Sequence, residues 1–333
     1  MSKDIQLCCL GNALVDLQYE VPEVLLEKLN IKKGQMKLVE TGYQARIIEQ
    51  LSSYRNYQSS GGSAANTIIA FSRFGGKAAY QSMLGNDVFG QFYSKEFADM
   101  GILLHADFLD SEPTGTCLVL ITPDSERSMM TALGATAKFG TKHLNEKMIE
   151  DSEWIYIEGY YLTQENTAGA VSRAIDVAKS SSTKISATFS DVFITEYFHH
   201  NLNEVVKNCD LIFCNEIEAS NFTKSDSIEK AAAILKELCP NYAITLGNKG
   251  SQVFWQGKEI FISPYPAEPV DSTGAGDMYA AGFLYGIITK NSPVFAGHLG
   301  SAAAAKVVSQ FGARLNESHV SLKDKILESV YND

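Results

Sequence analysis

Residues 271–277 read Asp-Ser-Thr-Gly-Ala-Gly-Asp and run directly into the apolar stretch 278–288. The small residues at 272–276 leave backbone N–H groups unobstructed at the start of a helix, where the helix dipole favours an anion. Asp277 lies in that first turn. It can simply suit the dipole, as an acidic residue in a capping turn does. It can also stand as an ionisable base beside an anion cradle, the arrangement that phosphoryl transfer needs. Gly274, Ala275 and Gly276 would then hold the phosphate charge while Asp277 accepts the proton of an attacking hydroxyl. No G-x-x-x-x-G-K-S/T occurs, which excludes a Walker-type P-loop. No G-x-G-x-x-G follows the first strand-like run, which argues against a dinucleotide-binding turn.

The elements that must hold these groups alternate between short β-like runs and helical stretches, the pattern of an α/β protein. Strand character falls at 5–10, 154–158, 184–189, 210–214 and 242–246. Helical character falls at 63–74, 87–100, 164–179, 202–206 and 228–238. Ser63 stands as the cap of the first helix and Asp87 as that of the second, with Gly75-Gly76 and Gly101 as stops. Strand followed by helix, repeated, implies parallel strands with helical crossovers. Two stretches break the rhythm. Residues 14–20 and 36–40 form one β-like pair. Residues 116–122 and 127–133 form another, joined by the turn Pro123-Asp124-Ser125-Glu126. Such pairs do not belong to a parallel crossover series and predict a small β-rich lid built from segments about 14–40 and 114–134. The whole chain, 1–333, reads as one such unit, with no linker, repeat or low-complexity tract.

Composition narrows the classes. The 333 residues carry a net charge of −11 with 45% hydrophobic and 20% charged residues, an ordinary globular balance. An acidic chain without a Lys/Arg cluster lacks the electrostatic footprint of a nucleic-acid or membrane binder. No apolar run reaches the ~18 residues of a membrane span, and the start MSKDIQ is polar, so a cytoplasmic protein is expected. Six cysteines without a C-x-x-C pair predict buried reduced thiols.

The segment DSTGAGDMYAAGF at 271–283 resembles the C-terminal signature of the ribokinase-like, PfkB-type carbohydrate and nucleoside kinases. GGSAANTIIAFSRFGGKAAYQSMLGNDVFG at 61–90 resembles their N-terminal signature, and GNALVD at 11–16, NEIEA at 215–219 and TLGNKG at 245–250 follow in the family's order. GNALVD, PTGTC at 113–117 and YIEGYYLT at 156–163 are most similar to its adenosine kinase branch. The resemblance implies a ribokinase-like fold: a central, mostly parallel sheet flanked by helices, under a small β lid. It implies transfer from ATP, with Mg²⁺ and in some members K⁺, to the hydroxymethyl group of a small acceptor, here the 5′-hydroxyl of adenosine. A free-sugar kinase (ribose or a ketose) and a non-catalytic ligand-binding relative are the alternatives. The fold is compatible with a monomer or a homodimer.

The resemblance places Asp16, Gly62 and Asn66 in the acceptor site, with Asn12 and Gly61 beside them. Read as chemistry, a carboxylate such as Asp16 can accept hydrogen bonds from two neighbouring sugar hydroxyls, or can be a solvated loop residue. Gly61 and Gly62 allow close backbone approach to a ligand, or make a tight strand-to-helix turn. Cys117 and Leu133 would add apolar walls, and Tyr160 or Tyr161 could stack on a purine or fill the core. Asn215 and Glu218 have the spacing of a capping box, and the resemblance assigns them to Mg²⁺ and the phosphates, Glu218 through water. Thr245, Gly247 and Gly250 resemble the ATP-binding loop, where Lys249 could meet a phosphate or stay exposed. Asp271 is the residue to which a monovalent cation would belong. Arg127, near the lid turn, could reach a phosphate or be an exposed turn residue.

Overall fold

The computed structural model describes residues 3–124 and 126–332. Ser125, in the expected lid turn, lies outside the described residues. Among the described residues, fourteen strands form two sheets. Strands β1 (Ile5–Leu10), β2 (Leu14–Glu20), β3 (Met36–Leu38), β4 (Asn56–Gly61) and β5 (Ala78–Gly85) open the chain. Then come β6 (Leu103–Leu109), β7 (Gly115–Ile121), β8 (Arg127–Ala132), β9 (Ser152–Glu158) and β10 (Lys184–Thr188). The last are β11 (Leu211–Asn215), β12 (Tyr242–Thr245), β13 (Ser251–Trp255) and β14 (Lys258–Ile262).

The larger sheet runs β14-β13-β12-β11-β10-β9-β1-β5-β6. From β12 to β6 every pairing is parallel, and β13 and β14 add an antiparallel edge. A parallel sheet is covered on both faces, so its strands bury alternate residues in opposite directions. In β1, Leu7 and Cys9 enter one core cluster while Cys8 and Leu10 enter the other. All six cysteines are free and buried in this framework. Because the strands are parallel, their carboxyl ends share one edge, the place where such sheets bind ligands. Asn12, Glu158, Thr188, Asn215 and Thr245 all stand at or just beyond those ends.

The helix Ala275–Ile288 is placed over this edge by close backbone contact. A Cβ on Gly282 would come within 2.8 Å of Gly300 N, and one on Gly286 within 2.6 Å of Ala296 Cα, in the neighbouring helix Pro293–Val308. Only glycine lets the two axes approach so closely.

The smaller sheet runs β3-β8-β7-β2-β4. It stands apart from the parallel crossover series, and β7 pairs with β8 antiparallel, as expected; but β2 and β3 do not pair with each other, β2 pairing with β7, and β3 with β8, in parallel. The sequence reading also missed β4, whose Asn-Tyr-Gln-Ser-Ser-Gly has no apolar alternation to announce it. Register explains what this sheet does. Asp16 lies opposite Cys117, Cys117 opposite Thr131, and Leu38 opposite Thr131. Alternate residues share a face, so Asp16, Cys117, Met129 and Met36 all face the cleft between the sheets. The opposite face packs Val15, Leu17, Leu118 and Met130 into the core, where Gln44 of the helix Thr41–Gln50 donates to the carbonyls of Thr116 and Met130.

Among the described residues, no helix is long and apolar enough to cross a membrane.

Candidate active site

A cleft of about 900 Å³ opens between the carboxyl edge of the larger sheet and the inner face of the smaller one. Its floor at one end is the first turn of the helix Ala275–Ile288. Gly274, in the left-handed region at φ +79°, starts this turn. The Ala275 amide bonds back to Ser272 O at 3.2 Å, and the helix ladder begins with Met278 N to Gly274 O. The amides of Gly276 and Asp277 therefore have no protein partner among the described residues. Gly276 is exposed, and a Cβ there would meet nothing within 4 Å. Of the expected cradle only Ala275 drops out, its amide spent on Ser272 O and its side chain not lining the cleft; Gly274 lines the cleft and its amide, like those of Gly276 and Asp277, has no protein partner among the described residues.

Asp277 does line it. Its carboxylate accepts from Ser63 Oγ at 2.6 Å and from Asn66 Nδ2 at 3.0 Å. Burial pushes its pKa up to about 6, although those two hydrogen bonds pull the other way. Ser63 is the first residue of the helix Ser63–Arg73 rather than its cap, which corrects the sequence expectation. The cap is Gly62 at φ +105°, and Ser63 spends its hydroxyl on Asp277 instead.

The glycine pair is required by the protein's own atoms. A Cβ on Gly61 would lie 2.4 Å from Asp16 Oδ2, and one on Gly62 would lie 2.0 Å from Asn12 O. Gly62 lines the cleft and Gly61 does not, so Gly61 serves the site by making room for Asp16. Burial raises Asp16 to about 7, against the pull of Arg314 and Arg127 and with the repulsion of Asp277 and Glu96. Asn12, Asn66, Cys117 and Leu133 join Asp16 in the cleft wall.

Tyr161 is a correction. Its ring is fully buried in the core, and its hydroxyl pairs with Ser82 at 3.1 Å. Tyr160 lines the cleft in its place. The two stand side by side in a 3₁₀ turn, Gly159–Thr163, whose tight winding sends neighbours to different sides.

At the other end of the cleft, Asn215 and Glu218 form a reciprocal capping box on the helix Glu216–Thr223, with bonds of 2.9 and 2.8 Å. Both also line the cleft, so the two readings of this pair meet in one geometry. Burial raises Glu218 to about 7, with Asp191 adding repulsion. Two hard oxygen donors facing a cleft suit Mg²⁺. Thr245 lines the cleft, whereas Gly247 and Gly250 do not. Gly250 instead permits the β12–β13 turn, since a Cβ there would lie 2.0 Å from Ile262 O. Lys249 is exposed and pairs with Glu216 at 3.4 Å. Asp271, expected near a monovalent cation, has its oxygens occupied by Arg127, Thr273 N and Gly312 N. Arg127 is buried rather than an exposed turn residue.

A model of the pfkB family carbohydrate kinases matches residues 48–319. The chain belongs to the PfkB carbohydrate kinase family. A ribokinase of Haemophilus influenzae is 30% identical over 284 residues, covering 82% of this chain and 88% of that protein. An adenosine kinase of Saccharomyces cerevisiae is 28% identical over 302 residues, covering 84% and 88%. The crystal structure of an adenosine kinase from Sinorhizobium meliloti superposes with a TM-score of 0.88 at 29% identity, covering 96% of this chain and 99% of that one. As a PfkB kinase the chain has the ribokinase-like fold and is a phosphotransferase acting on an alcohol group.

This PfkB kinase holds one further buried carboxylate, inside the YIEGYYLT segment but given no role there by the sequence reading. Glu158 ends β9 and accepts from Asn12 Nδ2 at 2.7 Å, Asn12 N at 3.2 Å and Ala64 N at 2.8 Å. It lines the cleft, and burial raises it to about 7 despite those bonds. The available signal was a lone Glu closing the otherwise apolar run Trp-Ile-Tyr-Ile. Ser63 and Arg314 were missed for a different reason, because their partners are 214 and 254 residues away in sequence.

Proposed function

We propose that this kinase transfers the terminal phosphoryl group of ATP to the 5′-hydroxyl of a nucleoside, adenosine. The observation that carries the acceptor class is the inner face of the smaller sheet. Next to the polar row of Asp16 and Asn66, that face presents Met36, Leu38, Cys117, Val119, Met129 and Leu133 to the cleft. A nucleoside has matching halves. Its ribose diol bonds the Asp16 carboxylate, and its flat base rests against apolar and thioether side chains. The same face also carries Gln18, Arg127 and Thr131, but a free sugar would leave its apolar part unfilled or desolvate hydroxyls against it.

In the transfer, Asp277 takes the proton of the acceptor hydroxyl as its oxygen bonds to the terminal phosphorus. The bond from that phosphorus to the bridging oxygen breaks, and the nucleoside diphosphate leaves. Ser63 and Asn66 hold the Asp277 carboxylate in place through this step. The free amides of Gly276 and Asp277 stabilise charge on the transferred group. Asn215 and Glu218 are the residues that would hold Mg²⁺, which when bound neutralises phosphate charge. A roof seated over the cleft excludes water that would otherwise accept the phosphoryl group.

A second reading, a free sugar such as ribose as acceptor, is favoured by the 30% identity to a ribokinase. The diol tests the nucleoside reading. Removing one of two hydroxyls from a carboxylate forfeits a charge-assisted hydrogen bond of ~1.5–3 kcal/mol, or roughly 10–150-fold in kcat/KM. Steady-state kinetics should therefore place 2′-deoxyadenosine that far below adenosine. Equal kcat/KM for the two would overturn the assignment of Asp16.

A further inference from the structure

Arg127 opens β8 in the smaller sheet, yet only 8% of its side chain is exposed, and only 6% of that of Asp271. Arg127 Nη1 lies 2.9 Å from Asp271 Oδ2, and Nη2 donates to Gln18 Oε1 at 3.2 Å. Its Nε is buried without a partner among the described residues. Asp271 is more fully engaged. Oδ1 accepts from Thr273 N at 3.0 Å, and Oδ2 accepts from Gly312 N at 2.9 Å. One carboxylate thus ties three separate segments: the smaller sheet, the turn that leads into the helix Ala275–Ile288, and the loop after the helix Pro293–Val308. That loop also packs on the turn, for a Cβ on Gly274 would lie 2.5 Å from Ala313 Cβ. Of the ion pairs among the described residues, this one alone joins the smaller sheet to the rest of the chain.

Burying an ion pair is a poor way to gain stability, and an orphaned Nε makes it poorer. Its placement is what has consequences. Asp271 stands directly before the free amides that accept phosphate, where a bare carboxylate would repel an anion. Arg127 cancels that charge only while β8 is seated over the cleft.

We infer that the Arg127–Asp271 pair is a latch that couples seating of the smaller sheet to the shape and charge of the phosphate-accepting turn. With the sheet seated, Arg127 neutralises Asp271, and Asp271 fixes Thr273 and Gly312 around Gly274. With the sheet lifted, Asp271 becomes an uncompensated negative charge beside the cradle and disfavours the phosphate donor. Both are positioning residues, acting through the turn rather than on the reacting atoms. The kinetic part of this inference rests on the kinase mechanism above, whereas the opening of the sheet can be read without turnover.

The test uses Arg127→Met, Asp271→Asn, the double variant and Arg127→Lys in the full chain, with thermal melting to confirm folding. Cys117 faces the cleft from β7, so its alkylation rate, located by peptide mass, reports opening of the sheet. Arg127→Met and Asp271→Asn should each label Cys117 about fivefold faster or more, and Arg127→Lys by less. Arg127→Met should raise KM for ATP and lower kcat. The double variant should recover part of that KM, because the bare carboxylate is gone. Unchanged labelling in folded Arg127→Met, or single effects that multiply in the double variant, would overturn the latch. Should Arg127→Met fail to fold, Arg127→Lys and Asp271→Asn decide by the same labelling criterion. Absence of phosphoryl transfer by the wild-type protein would instead strike the kinase mechanism and leave the labelling result to judge the latch.

Discussion

Asp277 receives two hydrogen bonds, from Ser63 and Asn66, and both donors belong to the first two turns of the helix Ser63–Arg73. The isosteric amide can keep this orientation, its oxygen accepting from Asn66 Nδ2 and its NH₂ donating to a rotated Ser63 hydroxyl, so Asp277→Asn isolates the proton-accepting role. Its kcat should fall by about 10²–10⁴-fold with little change in acceptor binding. Near-normal turnover by the folded variant would remove Asp277 from the mechanism. The pH profile gives a second reading of the same residue. Burial raises Asp277 to about 6, and the base must be unprotonated, so kcat/KM in the free enzyme should climb through about pH 6 as the pH is raised. A flat profile from pH 5 to 7 would contradict this. Asp277 and Asp16 were legible as residues because each sits in a short local motif. The roles of Glu158 and Ser63 were not legible although both lie inside quoted motifs, nor was that of Arg314, since the bonds that give them a role join segments distant in sequence.

The turn at 274–276 makes opposite demands on its two glycines. Gly274 has φ +79° and a neighbour 2.5 Å from any Cβ, whereas Gly276 has ordinary helical backbone and open space. Gly274→Ala should therefore lose about 1–3 kcal/mol of stability from backbone strain and overpacking, and lose activity with it. Gly276→Ala should melt at the wild-type temperature or slightly above, since Ala favours a helix by ~1 kcal/mol over Gly. Its methyl group would stand where phosphate approaches the free amides, so kcat should still fall. Full activity in Gly276→Ala would show that these amides do not hold the phosphate. Sequence periodicity revealed most strands and helices of the larger layer because their burial is regular. It failed at β4, which is polar, at β5 and β6, which it did not mark, and at β13 and β14, whose antiparallel edge breaks the crossover rhythm. The parallel pairing inside the smaller sheet was hidden as well, because two β-like runs close in sequence read as a hairpin whether or not they pair with each other.

Across the molecule, the cleft gathers four carboxyl groups that burial raises: Asp16, Glu158 and Glu218 to about 7, and Asp277 to about 6. In the unfolded chain they titrate near 3.8 for Asp and 4.5 for Glu. The folded state therefore binds more protons between about pH 4 and pH 7. Their contribution to stability is fully present below the unfolded values and is lost as the pH rises through the folded ones. Removing one such charge should help the free protein at high pH. Asp16→Asn should melt ~2 °C or more above wild type at pH 8, with the gap closing toward pH 5. A gap that widens on acidification would mean that Asp16 is stabilised as an anion. This cost of burial is consistent with a site organised for a ligand, whose hydroxyls would supply Asp16 with the hydrogen bonds it lacks among the described residues, where Glu158, Glu218 and Asp277 already accept from protein donors. Which ligand it is can be asked directly, by offering adenosine, inosine, ribose and fructose together at equal concentration with ATP and Mg²⁺ and identifying the phosphorylated products. Adenosine 5′-monophosphate should dominate. A free-sugar phosphate in about tenfold or greater excess over any nucleotide would contradict the nucleoside assignment, since discrimination of that size lies within what one misfitting apolar wall imposes.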